Sequence, residues 1–256
     1  MSSDKTLVVY GLHTVRATFT HASTDVLEAW IKQDASHPEL VELTALARTV
    51  GVRMQSVGGG ALDKLAGSPQ HQGIVVRRRT PKLRELADFL DIQPNPARPA
   101  LLLAIDQLQD PHNLGAALRV ADATGVDAVI VTKDRSVGIT SAVAKVASGA
   151  LDTVPLVGVT NLARALADMK AAGVWAVGAS HEATMSVYEL DLQRPLVWVL
   201  GGEGTGLRRL TRDTCDYLAR IPMQGTVGSL NLGTAAAVCL FETGRQRAAE
   251  HFPRSP

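Results

Sequence analysis

The chain has 256 residues, 46% hydrophobic and 20% charged, and its 26 Lys and Arg nearly cancel its 25 Asp and Glu. That length accommodates two modest domains, the composition excludes a disordered chain, and the charge balance offers no argument for a polyanionic partner. No apolar run approaches the roughly 20 residues of a membrane span, and Met1-Ser2-Ser3-Asp4-Lys5 lacks the layout of a signal peptide. Two cysteines, Cys215 and Cys239, cannot by themselves build a zinc cage or a disulfide framework. They are expected as small core residues of a cytoplasmic protein that needs no metal.

Residues 1–76 read as a small α/β unit. Thr6–Val9 is a short β-rich run and Gly11–Thr20 a helix; Trp30 and Ile31 are extended. Leu40, Leu43, Ala47 and their neighbours repeat at helical spacing over Pro38–Val50, and Gly51 follows as a C-terminal glycine should. Val52–Val57 returns to strand, Gly58-Gly59-Gly60 breaks it, Ala61–Ala66 is a short helix and Ile74-Val75-Val76 a last strand. From Arg77 to Pro99 the chain carries four prolines (81, 94, 96 and 99), which favours an extended connector between domains. The same segment holds a basic run, Arg77, Arg78, Arg79, Lys82 and Arg84, that is either a solvated face or a contact for a polyanion.

Residues 100–256 alternate strand and helix patterns. Strands are expected at Leu101–Ile105, Ala128–Thr132, Thr153–Val157, Val174–Gly178, Leu196–Leu200 and Tyr217–Ile221. Helices are expected at Leu114–Thr124, Ser141–Ser148, Leu162–Ala172, Leu207–Asp213 and Leu230–Ala249. Apolar strands without alternation, separated by helices, predict a parallel sheet covered on both faces.

Three bends carry the chemistry. Leu101–Ile105 leads through Asp110-Pro111 into a helix bearing Asn113 and Arg119. Leu196–Leu200 ends in Gly201-Gly202-Glu203-Gly204-Thr205-Gly206. Tyr217–Ile221 runs through Pro222, Gly225 and Gly228 to Ser229-Leu230-Asn231 and Gly233. Small-residue loops at strand ends that open helices are where α/β proteins bind ligands, because the first helical N–H groups are unpaired. The second bend does not complete G-x-G-x-x-G, since Leu207 stands where glycine is required, and it lacks the Lys of a phosphate loop. Its glycines suit a flat, uncharged ligand edge held by backbone groups. Glu203 has two readings, a ligand contact or a carboxylate at the start of the next helix. A lone Arg119 on a small, apolar helix is costly if buried unpaired, so it is either ion-paired or functional.

These three stretches, in this order, resemble the three motifs of the SpoU/TrmH branch of the SPOUT RNA methyltransferases. Tyr10-Gly11-Leu12-His13 and His71-Gln72-Gly73 extend the likeness over nearly the whole chain, toward a subgroup that methylates a guanosine ribose 2′-hydroxyl in the peptidyl-transferase region of 23S rRNA. The resemblance implies an α/β fold with a C-terminal parallel-sheet knotted methyltransferase domain (100–256), a small N-terminal α/β RNA-binding domain (1–76) and a linker (77–99). A trefoil knot is something general topology rules would have excluded. It further implies S-adenosylmethionine held by backbone around Gly201, Ile221 and Leu230, a homodimer completing the site, and 23S rRNA or a ribosomal precursor as partner. Arg119, Asn113, Glu203, Ser229 and Asn231 become the catalytic set. Arg119 is a poor base, since a guanidinium offers donors and no acceptor, and better suited to binding phosphate and stabilising a 2′-alkoxide. Within the resemblance, the alternatives are a tRNA-directed enzyme and a non-catalytic RNA-binding factor. The third motif departs from the usual wording: Leu232-Gly233 stands where Val-Ser is common, so no role passes to a hydroxyl at position 233.

Overall fold

The computed structural model describes residues 5–33, 36–90, 98–134, 136–202 and 204–248. In chain order the strands and helices begin β1 (Thr6–Tyr10), α1 (Leu12–His21), β2 (Val26–Lys32), α2 (Pro38–Thr49), β3 (Met54–Val57), α3 (Gly59–Ala66), β4 (Ile74–Arg79) and α4 (Ala87–Leu90). They continue as β5 (Leu101–Ile105), α5 (Pro111–Thr124), β6 (Ala128–Thr132), α6 (Ser141–Ala147), α7 (Ala150–Thr153), β7 (Leu156–Val159), α8 (Leu162–Ala171) and β8 (Trp175–Ala179). The last are β9 (Met185–Ser186), β10 (Leu196–Leu200), α9 (Arg209–Thr214), β11 (Tyr217–Arg220) and α10 (Leu232–Ala248). Two differences from the sequence reading stand out. Pro155, which has no N–H to give a ladder, separates α7 from β7, so Thr153 closes a helix instead of opening a strand. Strand β9 spans only Met185–Ser186, too short for any periodic signal.

The chain forms two compact units, Met1–Lys82 with Gly138–Thr153, and Leu83–Val137 with Val154–Pro256. The first carries a four-stranded sheet of order β1-β4-β2-β3. Because side chains alternate along a strand, β4 sends Val75 to one face, where Trp30 and Leu62 of α3 enclose it. Ile74 and Val76 go to the other, beside α1. Arg78 shares that second face and is 2% exposed, paired with Asp152 at 3% exposure on α7. Thr18 Oγ1 accepts from the same guanidinium at 3.3 Å and Asp25 lies 3.6 Å away.

Arg78 therefore departs from both readings of the basic run, a solvated face and a contact for a polyanion. Arg78 is an internal ion pair, and Arg77 pairs with Glu28 and lies over the Trp30 ring at 5.7 Å. All three arginines belong to strand β4. Gly149 shows how closely α7 approaches α1: a Cβ there would sit 2.7 Å from Ala17 Cβ. The stretch between β6 and β7 therefore lends its helices to the first unit.

The second unit is built on a seven-stranded sheet, β7-β6-β5-β10-β8-β11-β9, whose neighbouring strands pair parallel throughout. Leu102, Ala104, Ile130, Val197 and Val199 pack with Leu162, Leu166 and Met169 of α8 into one core. Burying about 1.5–3 kcal/mol per such side chain drives this layer together. On β10 the alternate residue, Trp198, is fully buried and donates from Nε1 to Thr243 Oγ1 of α10 at 2.9 Å. A satisfied indole N–H is what permits that burial.

Part of the expected connector is ordered against this sheet. Arg84 donates from its amide to Leu156 O at 2.8 Å and accepts from Gly158 N at 3.0 Å. Leu86, Phe89 and Leu90 lie on the core. Pro94 and Pro96 fall outside the described residues.

Candidate active site

Parallel pairing places the carboxyl ends of β5, β10, β8 and β11, neighbours in that order, along one edge of the sheet. Loops after β8, β10 and β11 line a cavity of about 380 Å³ there, within the size range of small-molecule sites. Its walls include Leu200, Gly201, Leu207, Ile221, Met223, Ser229 and Leu230.

The loop after β10 is shaped by its glycines. A Cβ on Gly201 would lie 2.2 Å from the carbonyl carbon of Gly206, so only glycine lets the loop close on itself. Gly206 N donates to Gly202 O at 3.0 Å, and Gly204 and Gly206 take positive φ of 73° and 64°. The far end is pinned by Asp106, fully buried just past β5. Its carboxylate accepts from Arg208 N at 3.0 Å and from Arg208 Nε at 2.7 Å, while Asp106 N donates to Leu200 O at 2.8 Å.

The first and third bends meet through two amides. Asp110 caps α5 by accepting from His112 N at 2.8 Å, Pro111 fills the first turn, and Asn113 is buried one residue beyond the exposed His112. Asn231 Nδ2 donates to Asn113 Oδ1 at 2.7 Å, and Asn231 Oδ1 accepts from Gly233 N at 2.9 Å, capping α10. A Cβ on Gly233 would stand 2.7 Å from Ala116 Cβ. Glycine at 233 thus permits α5 and α10 to touch, a packing reason for the departure noted in the third motif.

The structure gathers Gly201, Ile221, Leu230 and Ser229 around one cavity and joins Asn113 to Asn231. Arg119 is not on the cavity wall. It is exposed on α5, with no hydrogen bond or ion pair among the described residues. The cost expected for a lone guanidinium on this helix does not arise, because water solvates it. Glu203 lies outside the described residues.

Sequence reasoning missed Asp106 and the Ser180-His181-Glu182 turn after β8, which lines the same cavity. Arg212 also lies on the wall and donates to Glu182 at 3.0 Å. The rule that found the other bends, a strand end followed by small polar residues, would have found Ser180.

The cavity suits S-adenosylmethionine. Leu200, Leu207, Ile221 and Leu230 offer apolar surface for an uncharged base, and Gly228 and Gly204 present backbone where an added Cβ would meet nothing within 4 Å. Among the described residues, no group of three or more His, Cys, Asp or Glu is placed to hold a metal ion, and no helix is long and apolar enough to cross a membrane.

Residues 100–241 match the model of the SpoU rRNA Methylase family, and residues 8–82 match that of RNA 2′-O ribose methyltransferase substrate binding. A curated relative from Shewanella oneidensis, 23S rRNA (guanosine-2′-O-)-methyltransferase RlmB, is 45% identical over 240 residues, covering 94% of this chain and 97% of its own. A crystal structure of an RNA 2′-O ribose methyltransferase superposes with a TM-score of 0.80 at 27% identity, covering 95% of this chain and 90% of the other. The methyltransferase AviRb from Streptomyces viridochromogenes, solved with its cofactor AdoMet, gives 0.78 at 25% identity over 95% and 91%. With its strand-end cavity and joined bends, the chain belongs to the SpoU rRNA Methylase family and is an S-adenosylmethionine-dependent RNA 2′-O-methyltransferase.

Proposed function

We propose that the chain methylates the ribose 2′-hydroxyl of a guanosine in 23S rRNA, in the cytoplasm and as a homodimer. The first unit grips the RNA and the second carries the chemistry. The observation that carries this reading is the convergence of the β8, β10 and β11 loops on one largely apolar cavity, beside the Asn113–Asn231 bond. S-adenosylmethionine supplies, when bound, a methyl group on a positively charged sulfur.

The protein's own residues then position and stabilise. The backbone of Gly201, Ile221 and Leu230 holds the ligand's flat edge. Asn113 and Asn231 fix the first and third bends to one another, and Ser229 orients the ribose. The Arg119 guanidinium offers donors and no acceptor, so it binds the target's phosphate and stabilises the 2′-oxygen as its proton leaves to water. By the family resemblance, Glu203 serves the sulfonium and ribose region or orients a neighbouring loop.

Arg119 is exposed and off the wall of its own cavity, which supports a dimer in which it serves the partner's site. Phe241 on α10, 56% exposed, is consistent with an apolar contact between copies. Mixing two inactive variants tests this. Arg119→Ala lacks the guanidinium, and Gly228→Trp fills the cavity. If Arg119 acts across a two-fold dimer, half the molecules are mixed and each has one intact site, restoring about a quarter of wild-type methyl transfer. A mixture that stays inactive shows that Arg119 serves its own chain. Full activity of Arg119→Ala alone removes Arg119 from the mechanism.

A further inference from the structure

Within the first unit, the Tyr10-Gly11 and His71-Gln72-Gly73 motifs meet around one amine. Lys145 of α6 donates from Nζ to Gln70 O at 3.3 Å and lies 5.2 Å from the centre of the Tyr10 ring. The same nitrogen is 2.7 Å from where a Cβ on Gly11 would be, so a side chain there would shift the amine from this position. The loop that presents Gln70 is held firmly. His71 Nε2 is 3.1 Å from Asp63 Oδ1, and His71 Nδ1 accepts from Gly73 N at 2.9 Å. Gln72 Oε1 accepts from Leu12 N at 3.2 Å, so the start of α1 is already occupied by protein.

Lys145 is compensated unlike Arg247, another cation that burial partly desolvates. Burial lowers the pKa of both Lys145 and Arg247. Arg247 answers its desolvation with the carbonyls of Pro99, Ala100, Leu192 and Arg194 at 2.7–3.2 Å. Lys145 has three donors, one carbonyl at 3.3 Å and a ring face; among the described residues no carboxylate pairs with it. A partly dehydrated ammonium with donors to spare, fixed in place beforehand, is a strong point for an anion.

We propose that Lys145, set between Tyr10, Gly11 and Gln70, binds a backbone phosphate of the RNA substrate. The inference rests on the RNA-methyltransferase reading above. It gives the two N-terminal motifs a common purpose: one leaves room for the amine and the other aims it.

The test is equilibrium binding of a transcript spanning the peptidyl-transferase region of 23S rRNA to the full chain and to Lys145→Gln and Lys145→Arg. Salt is varied, with AdoMet affinity and thermal melting measured alongside. One phosphate contact contributes about 0.7 to the slope of log K against log salt, or about fivefold in affinity near 0.1 M salt. Lys145→Gln is expected to lose that factor and that much slope, Lys145→Arg to keep both, and AdoMet affinity and melting to stay at wild type. Unchanged affinity and slope in Lys145→Gln overturns the proposal. So does a lowered melting temperature with wild-type slope, which would make Lys145 a structural clasp. A wild-type chain that binds AdoMet but not the transcript would instead remove the RNA reading on which the proposal stands.

Discussion

Removing the Asp106 carboxylate should loosen the cofactor cavity although Asp106 does not line it. Asp106 is fully buried, and it accepts from Arg208 N at 3.0 Å and from Arg208 Nε at 2.7 Å. Hydrogen bonds to a charged group are each worth about 1.5–3 kcal/mol. The Arg208 side chain is 43% exposed, so water recovers part of what its guanidinium loses, whereas among the described residues the amide has no other acceptor. The net cost of Asp106→Ala is then about 2–4 kcal/mol, short of the full penalty for stranding a buried charge.

That energy holds Arg208, and with it the adjoining cavity-lining Gly206 and Leu207, in place. If most of it must be supplied by the ligand, the AdoMet Kd rises by about one to two orders of magnitude. Asp106→Asn keeps the volume and one acceptor oxygen, and should fall between. Titration calorimetry is the appropriate assay, because it reads ligand affinity directly. Wild-type Kd in Asp106→Ala would refute the claim that this pair preorganises the cavity.

Gly233→Ala drives a methyl to 2.7 Å from Ala116 Cβ, and should cost about 1–3 kcal/mol by overpacking; Ala116→Gly should relieve it, so the double variant melts above the Gly233→Ala single. Equal melting of the two would show that the helices do not need the glycine. Burial pushes the Cys239 thiol up to about 12 from 9.0, so iodoacetamide should leave it unmodified in the native chain at mildly alkaline pH. Its folded pKa is raised. Its contribution is therefore full below pH 9, where both states are protonated, and is lost as pH climbs from 9.0 toward about 12 and the unfolded thiol ionises first. Alkylation of native Cys239 at the rate of a free thiol would contradict its burial.

Much of the second unit was legible because buried parallel strands announce themselves. Leu101–Ile105, Ala128–Thr132 and Leu196–Leu200 are unbroken apolar runs, and each is a strand with the expected ends. The bends that follow were equally plain, since glycines and Asx residues at strand ends have few other uses. Gly201, Ile221, Ser229 and Leu230 stand around one cavity because a parallel sheet puts those ends on one edge. Arg78 shows the opposite case. Its neighbours Arg77 and Arg79 made it look like surface, yet strand alternation turns it inward, toward a carboxylate 74 positions away.

By itself, then, the sequence determined which segments are strands and helices, where the chain bends, and which side chains have the chemistry to hold a ligand. These are properties of a residue and its near neighbours, set by periodicity and backbone freedom. Tertiary structure alone decided that Asp106 answers Arg208 across 102 positions, that the helices between β6 and β7 join the first unit, and that Arg119 stands in solvent off its own cavity wall. A charge's partner depends on distance in space and on the water that folding removes, and neither quantity is written along the chain.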